Sequence, residues 1–397
     1  MRISTKTFQL QWLAAINQQQ YQLANIQRQI STGKRISTAA DDPAGAAQMV
    51  LLQQGMDRLE NYAANGDTAR RRLSLEEGSL DKVVDTLDRV RELAIQAGGT
   101  AKSPEARAAI ANESRELLKN LLDLANHQDG EGRYLFSGNR VGAQPFSMSS
   151  GIVSYFGDDG IRFQRVGDNR TIQENDFGSE VFQSIRNGNG TFSVESGSSN
   201  AGTAFYSSAS VVNAAAWVPD TYSIAFTAPD AYEVTDSGGA VIQSGAFAPG
   251  QAISFNGVAI SIEGLAATGD TFAVQASQNQ DIFTTVQNFI TSLEASLTNP
   301  SDHARAQSEL NTALLDLDRG LDHIGVVRSR VGSRLAAIDE QDSNNQEVSF
   351  QLAETLGTIR DVDYPSAISQ LEQQLFALEA AQKTFQASRS FSLFDIL

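Results

Sequence analysis

The apolar positions of this chain change their period twice. Near the start, Trp12, Ile16, Leu23, Ile26 and Ile30 follow alternating steps of four and three, with Gln19 in one expected slot. That is the 3.5-residue repeat of a coiled-coil seam, set in a glutamine-rich segment. Gly33 is placed to end the helix. Asp41-Asp42-Pro43 then reads as an N-cap followed by proline in the first turn of a second helix, about Pro43 to Ala97, which repeats at Leu80, Val83, Leu87, Val90, Ala94 and Ala97. Gly98-Gly99 closes it. Ser103-Pro104-Glu105 opens a third helix carrying Ile110, Leu117, Leu121 and Leu124, antiparallel to the second because the connection is short.

From Gly130 the period drops towards two. Residues 152–156, the Gly157–Gly160 turn and residues 161–166 read together as a β-hairpin. The Asn187-Gly188-Asn189-Gly190 linker leads into short strands at Tyr222–Phe226, Tyr232–Thr235, Val241–Gln243, Ile253–Phe255, Val258–Ile262 and Thr271–Val274. Helical spacing returns at Asp281 with Ile282, Val286, Phe289, Leu293 and Leu297, closed by Asn299-Pro300. A helix from Asp302 to Ile359, roughly 85 Å at ~1.5 Å per residue, follows. After Asp361-Val362-Asp363-Tyr364-Pro365, a last helix carries Ile368, Leu371, Leu375, Leu378 and Phe385, and the chain ends in an apolar tag containing Leu393 and Phe394. The expected fold is mainly α with inserted β. Residues 1–42 and 361–397 form terminal coiled-coil segments. Residues 43–186 and 277–360 form a helical rod with the hairpin, and 187–276 form an inserted β-domain.

Composition narrows the function. Hydrophobic residues are 41% of 397, so a substantial core is available. Forty-seven acidic against 30 basic residues give a net charge of −17, which disfavours nucleic acid as a partner. Charge is uneven: residues 1–40 hold Arg2, Lys6, Arg28, Lys34 and Arg35 and no acid, while 361–397 carry net −3. This opposition favours pairing of the two ends. With no cysteine, disulfides, thiolate metal sites and cysteine nucleophiles are excluded. The start lacks the apolar region of a cleaved signal peptide, and no apolar run is long enough to span a membrane.

Catalysis has little support. His303 and His323 are twenty residues apart on one helix, too far to share a metal, and His127 sits in a helix-ending turn. Asp41-Asp42, Asp158-Asp159 and Asp361/Asp363 occupy normal capping or turn positions. No catalytic, metal or cofactor-binding residue is assigned. Asn169-Arg170-Thr171 and Asn189-Gly190-Thr191 match the glycosylation sequon in form alone.

Residues 29–36 (Gln-Ile-Ser-Thr-Gly-Lys-Arg-Ile) and 40–46 (Ala-Asp-Asp-Pro-Ala-Gly-Ala) resemble the N-terminal signature of the flagellin superfamily. The opening five residues, Gly132–Gly138 with Pro145-Phe146, Ile359–Tyr364 and the closing Ser392-Leu393-Phe394 resemble its hook–filament junction branch more than the flagellins themselves. The resemblance spans about 1–180 and 280–397. It implies a non-catalytic structural subunit of the extracellular flagellum that assembles as a ring with copies of itself. The first hook-associated protein is implied on one side and flagellin on the other. It also implies export through the type III channel, with a cytosolic chaperone at the C-terminal region. The terminal helices would line the inner tube and the β-domain would face outward. The expected assembly interface is Trp12, Ile16, Leu23, Ile26, Ile30, Ile368, Leu371, Leu375, Leu378, Phe385, Leu393 and Phe394. Two rivals remain at this point. One is a flagellin proper. The other is a glycan-binding module in the insertion, using Phe192, Tyr206, Trp217, Tyr222 and Tyr232.

Overall fold

A computed structural model describes residues 5–99 and 103–390. Six α-helices, α1 (Thr5–Thr32), α2 (Pro43–Gly99), α3 (Pro104–Ala125), α4 (Ile282–Glu294), α5 (Pro300–Arg360) and α6 (Tyr364–Ser390), bracket fourteen short strands. Two compact units result: residues 1–64 with 340–397, and residues 65–339.

The larger unit has two hydrophobic cores. In the first, the heptad positions of α2 (Leu73, Leu80, Val83, Leu87, Val90) meet Leu317, Ile324, Val327, Val331 and Ile338 of α5, Ile110, Leu118 and Leu121 of α3, and Phe283, Val286 and Phe289 of α4. Antiparallel registers follow from polar ties at the helix edges. Arg91 of α2 reaches Asp318 of α5 at 2.6 Å, and Arg328 of α5 reaches Glu77 of α2 at 2.8 Å. Ser79 of α2 donates to the Leu124 carbonyl of α3 at 3.2 Å. Such half-exposed pairs set direction more than stability, at ~0–1 kcal/mol each. Helix α3 starts as expected: the Ser103 hydroxyl accepts from Ala106 N, with Pro104 in the first turn.

Between α3 and the insertion lie β1 (Phe146–Ser149), β2 (Ile152–Tyr155), β3 (Phe163–Arg165) and β4 (Thr171–Gln173). The expected hairpin between 152–156 and 161–166 is not formed. β2 pairs with β1, and β3 with β4. The intervening turn is held elsewhere. Asp158 accepts from Asn139 N at 2.6 Å and Gly160 N at 2.9 Å, and the Tyr155 hydroxyl donates to the carbonyls of Phe136 and Asp158. Those bonds tie the turn to residues 136–139, so each strand finds its nearest sequence neighbour instead.

The second core belongs to the insertion. A five-stranded sheet has the order β10 (Val241–Ala246), β9 (Ala231–Thr235), β8 (Thr221–Ala228), β13 (Thr271–Ala276), β6 (Phe192–Ser196). A three-stranded sheet runs β11 (Ala252–Phe255), β12 (Val258–Glu263), β7 (Phe205–Val211). All pairings are antiparallel. Alternate residues face inward, as a period of two requires: Tyr222, Ile224 and Phe226 on β8, Phe272 and Val274 on β13, Ile260 and Ile262 on β12. The β11–β12 turn places Asn256 and Gly257 both at positive φ (42° and 78°), the demand of a tight hairpin that Asn-Gly meets at low cost. The aromatic residues considered as glycan contacts are part of this core: Phe192, Tyr206, Tyr222 and Tyr232 are buried, and Trp217 packs on Phe192 and Tyr222. Their aromaticity fills the interior of a small domain, and that reading is withdrawn. Entry and exit of the insertion run side by side, β5 (Ile185–Arg186) pairing with β14 (Asn279–Gln280).

Candidate assembly interface

The two ends of the chain meet in the smaller unit. Helix α1 stops because Gly33 takes φ +69°, the left-handed conformation that suits glycine. The chain then runs antiparallel to the α5–α6 connection, with Lys34 bridged to Asp361. Val362 N donates to the Gly33 carbonyl at 3.0 Å, and Arg35 N to the Arg360 carbonyl at 2.6 Å. The Arg35 guanidinium donates to the Ile359 carbonyl through Nε at 3.2 Å and a terminal nitrogen at 2.8 Å, covering an acceptor at the end of α5. The two motif stretches, 29–36 and 359–364, are therefore one contact seen from its two sides.

The same contact explains the second motif. Asp41 accepts from Ser37 N at 3.1 Å, Thr38 N at 2.8 Å and the Arg28 guanidinium at 3.0 Å. The backbone donors at Thr38 and Ser37, then the Arg28 charge, hold its carboxyl below the usual range. Asp42 caps α2 through Gly45 N at 2.9 Å. Ile36, 3% exposed, lies under Gly45, where a Cβ would come within 2.6 Å of its Cδ1. Two basic residues of the N-terminal segment are thus paired over short sequence distances, Arg28 to Asp41 and Arg35 to Asp42. Among the described residues, the ties that fix the register of the two ends are the backbone bonds at Gly33–Ile36 and Arg360–Val362 and the Arg35 guanidinium on the Ile359 carbonyl.

Beyond this crossing, α1 packs along α6. Trp12 lies against Phe385 with ring centroids 6.2 Å apart. Trp12, Ile16, Gln19, Leu23, Ile26 and Ile30 are all half-buried, as are Leu371, Gln374, Leu378, Ala381 and Phe385. Both rows step by four and three, so each helix presents a heptad seam to the other. Eight of the expected interface residues therefore lie along the seam within the chain: Trp12, Ile16, Leu23, Ile26, Ile30, Leu371, Leu378 and Phe385. Ile368 and Leu375 are exposed, Leu375 at 46%. Leu393 and Phe394 fall outside the described residues.

This unit is short of interior. Among its described residues, the buried apolar side chains are Ile36, Tyr62, Leu356 and Ala367. Exposed ones are Leu10, Leu13, Tyr21, Val50, Leu51, Val348, Phe350, Tyr364, Ile368, Leu375 and Phe376, with Phe350 at 71% and Phe376 at 76%. Phe350 and Phe376 are not among the expected interface residues, because both stand outside the heptad row of their own helix.

Elsewhere, ionisable groups are arranged for support. Arg334 of α5 grips Asp176 through two nitrogens at 2.8 and 3.0 Å, and Asp176 N donates to Glu76 of α2 at 3.3 Å. Burial, then the neighbouring Asp176 charge, pushes the Glu76 carboxyl well above its ordinary range. His323 bonds the Glu180 carbonyl at 2.9 Å and lies on the same helix as His303. Asn126 caps α3 and clamps β1 through a reciprocal pair of 2.9 Å bonds with the Phe146 backbone. No described helix is long and apolar enough to cross a membrane.

A long-helix fold whose two chain ends close on each other defines a flagellin-type subunit, and residues 3–140 match the family described as the bacterial flagellin N-terminal helical region. The flagellar junction protein FlgL of Legionella pneumophila is 35% identical, with TM-score 0.73, over 79% of this chain and 100% of that one. FlgL of Xanthomonas campestris is 32% identical, also at 0.73, over 77% and 99%. Flagellar hook-associated protein 3 of Salmonella typhimurium is 25% identical over 100% of this chain and 99% of its own. Flagellins match more distantly and over part of the chain. The chain belongs to the FlgL (flagellar hook-associated protein 3) family, and it is a structural subunit of the bacterial flagellum.

Proposed function

We propose that this subunit joins hook to filament as a ring of identical copies, with the first hook-associated protein on one side and flagellin on the other. The carrying observation is the terminal unit: its two ends are locked in register at Gly33–Ile36 and Ile359–Val362, yet among its described residues more large apolar side chains stand exposed than are fully buried. Such a surplus is what neighbouring copies would cover, at ~25 cal/mol per Å² over many repeated contacts. In this reading α1 and α6 line the inner tube, the helices of the larger unit form the wall, and the β-domain faces outward. The assembly surface then consists of the exposed set, including Ile368, Leu375 and Phe376, on top of the seam that pairs α1 with α6. The role is mechanical and non-catalytic. The absence of cysteine and the weak, glutamine-bearing seam suit a chain exported unfolded through the flagellar channel, with a chaperone at its C-terminal region until release.

Immuno-gold labelling of detached flagella tests the placement. A single narrow band beside the hook is expected, with filaments shed by a deletion strain. Label along the whole filament, or recombinant protein that polymerises into micrometre filaments, would instead make it a flagellin.

A further inference from the structure

The insertion is carried on two crossings, residues 185–191 and 276–280, and one carboxylate of α5 holds both. Asp316, 6% exposed, accepts from Gly188 N of the entry at 2.6 Å and from the Gln280 amide of the exit at 3.1 Å. The crossings are also tied to each other. Asn187 N donates to the Gln278 carbonyl at 3.0 Å, the Ser277 hydroxyl to the Asn187 carbonyl at 2.7 Å, and Ser277 N to the Thr191 carbonyl at 2.9 Å. Asp316 therefore sits where the β-domain and the helices are fastened.

We propose that Asp316 is a proton-controlled latch, which holds the β-domain tightly on α4 and α5 in acidic medium and loosens it as the medium turns neutral. This inference does not depend on where in the flagellum the subunit stands.

The geometry gives the direction. Both partners of the carboxylate are neutral donors, so an ionised Asp316 keeps a buried negative charge without a bonded cation. A cavity of about 330 Å³ opens beside it, lined by Glu195 of β6, Thr291 of α4, and Glu309 and Thr312 of α5. The charged and titratable surroundings are mostly unhelpful to the anion. Glu195 adds a like charge, Glu309 is a second carboxyl pushed up by burial, and Tyr206 of β7 is a buried phenol raised to about 12. Arg319, one turn on along α5, is paired with Asp322 at 3.4 Å, and Arg186 of the entry crossing is bonded to the Ser277 carbonyl. On α4 the nearest acid, Asp281, is occupied capping Thr284 N at 2.7 Å. Burial first, and Glu195 less strongly, raise the Asp316 carboxyl from 3.8 to about 6 against the pull of its two donors.

A protonated Asp316 needs one acceptor in place of one donor. Rotation of the Gln280 amide supplies it and leaves the Gly188 bond intact, while the Thr285 hydroxyl, which accepts from that amide at 2.8 Å, turns to donate to its oxygen. The sign follows from linkage. The closed crossing binds the proton more tightly than an opened, solvated one, so closure is fully favoured below about 4 and loses that advantage as pH rises through about 6. A separation of about two pH units corresponds to a ~100-fold change in the opening constant.

Hydrogen exchange of the full-length protein from pH 4.5 to 7.5, corrected for intrinsic exchange, reads this directly. Amides of residues 185–191 should lose protection by ~10–100-fold across that range with a midpoint near 6, while α2 core amides do not follow the same curve. Asp316→Asn should flatten the dependence in 185–191. Glu195→Gln, at an exposed position, should keep the dependence but move its midpoint to lower pH. Wild type and Asp316→Asn with parallel profiles, or a midpoint indifferent to Glu195→Gln, would overturn the latch.

Discussion

Two aspartate substitutions three residues apart on α6 separate the seam within one chain from the surface offered to its neighbours. Leu378 is half-buried in the row that packs on α1, whereas Leu375 is exposed. Full burial of a leucine side chain stabilises by ~1.5–3 kcal/mol, so half-burial is about 1 kcal/mol. Lodging a carboxylate in a half-dry seam costs about 1 kcal/mol more. Leu378→Asp should therefore weaken α1–α6 pairing by about 2 kcal/mol, a ~30-fold shift towards separated helices. Trp12 reports this, because its ring lies on Phe385 in the closed seam. In a Trp217→Phe background its emission should move to the red in Leu378→Asp and stay unchanged in Leu375→Asp, which should alter monomer stability by no more than ~0.5 kcal/mol. In cells the exposed variant is the informative one: Leu375→Asp should be exported, yet its flagella should shed filaments. Unchanged Trp12 emission in Leu378→Asp would remove the seam from the description. Normal filament retention by Leu375→Asp would remove the exposed face from the assembly reading.

Other outcomes follow from the same contacts. Gly33→Ala places a Cβ at φ +69° and 3.1 Å from the Tyr364 hydroxyl, and should cost ~1–2 kcal/mol, measured as earlier proteolytic nicking after α1. Arg334→Met strands the fully buried Asp176 carboxylate and should destabilise the larger unit by ~3–5 kcal/mol in urea denaturation at pH 7. Glu76 has a raised carboxyl, so its contribution is complete below its unfolded value of ~4.3 and declines as pH climbs through the higher folded one. Glu76→Gln should accordingly flatten the alkaline fall in stability, and a denaturation series between pH 5 and 9 measures that slope.

Heptad rows and stop signals made the helices legible. Gly33, Asp42-Pro43 and Ser103-Pro104 mark ends within a residue or two of those observed, because each residue type answers a specific backbone need at a helix terminus. Alternation located most strands of the insertion, but β6 and β7 were missed. Residues 205–211 are largely serine, alanine and valine, and their half-buried polar faces carry little contrast. The 152–166 hairpin failed for a different reason. Its turn is fixed by Asp158 bonds to a segment about twenty residues upstream, and no local pattern encodes a distant donor. At the interface, sequence periodicity picked out positions of α1 that pack on α6 and Leu371, Leu378 and Phe385 of α6, whereas Ile368 and Leu375, read into the same row, lie outside it and are exposed. It could not say which apolar residues outside that row stay uncovered, since exposure depends on where the partner helix lies. Nor does any local pattern tie Arg35 to Ile359 or Ile36 N to the Arg360 carbonyl at the other end of the chain.

The paired crossings of β5 and β14 have an evolutionary consequence. A domain that keeps its own aromatic interior and leaves the helical scaffold through adjacent threads can be enlarged, trimmed or exchanged with little disturbance to the scaffold's packing. Sequence change within that domain is then uncoupled from the packing of the helices. The same plug-in construction makes this position a natural mount for displayed peptides.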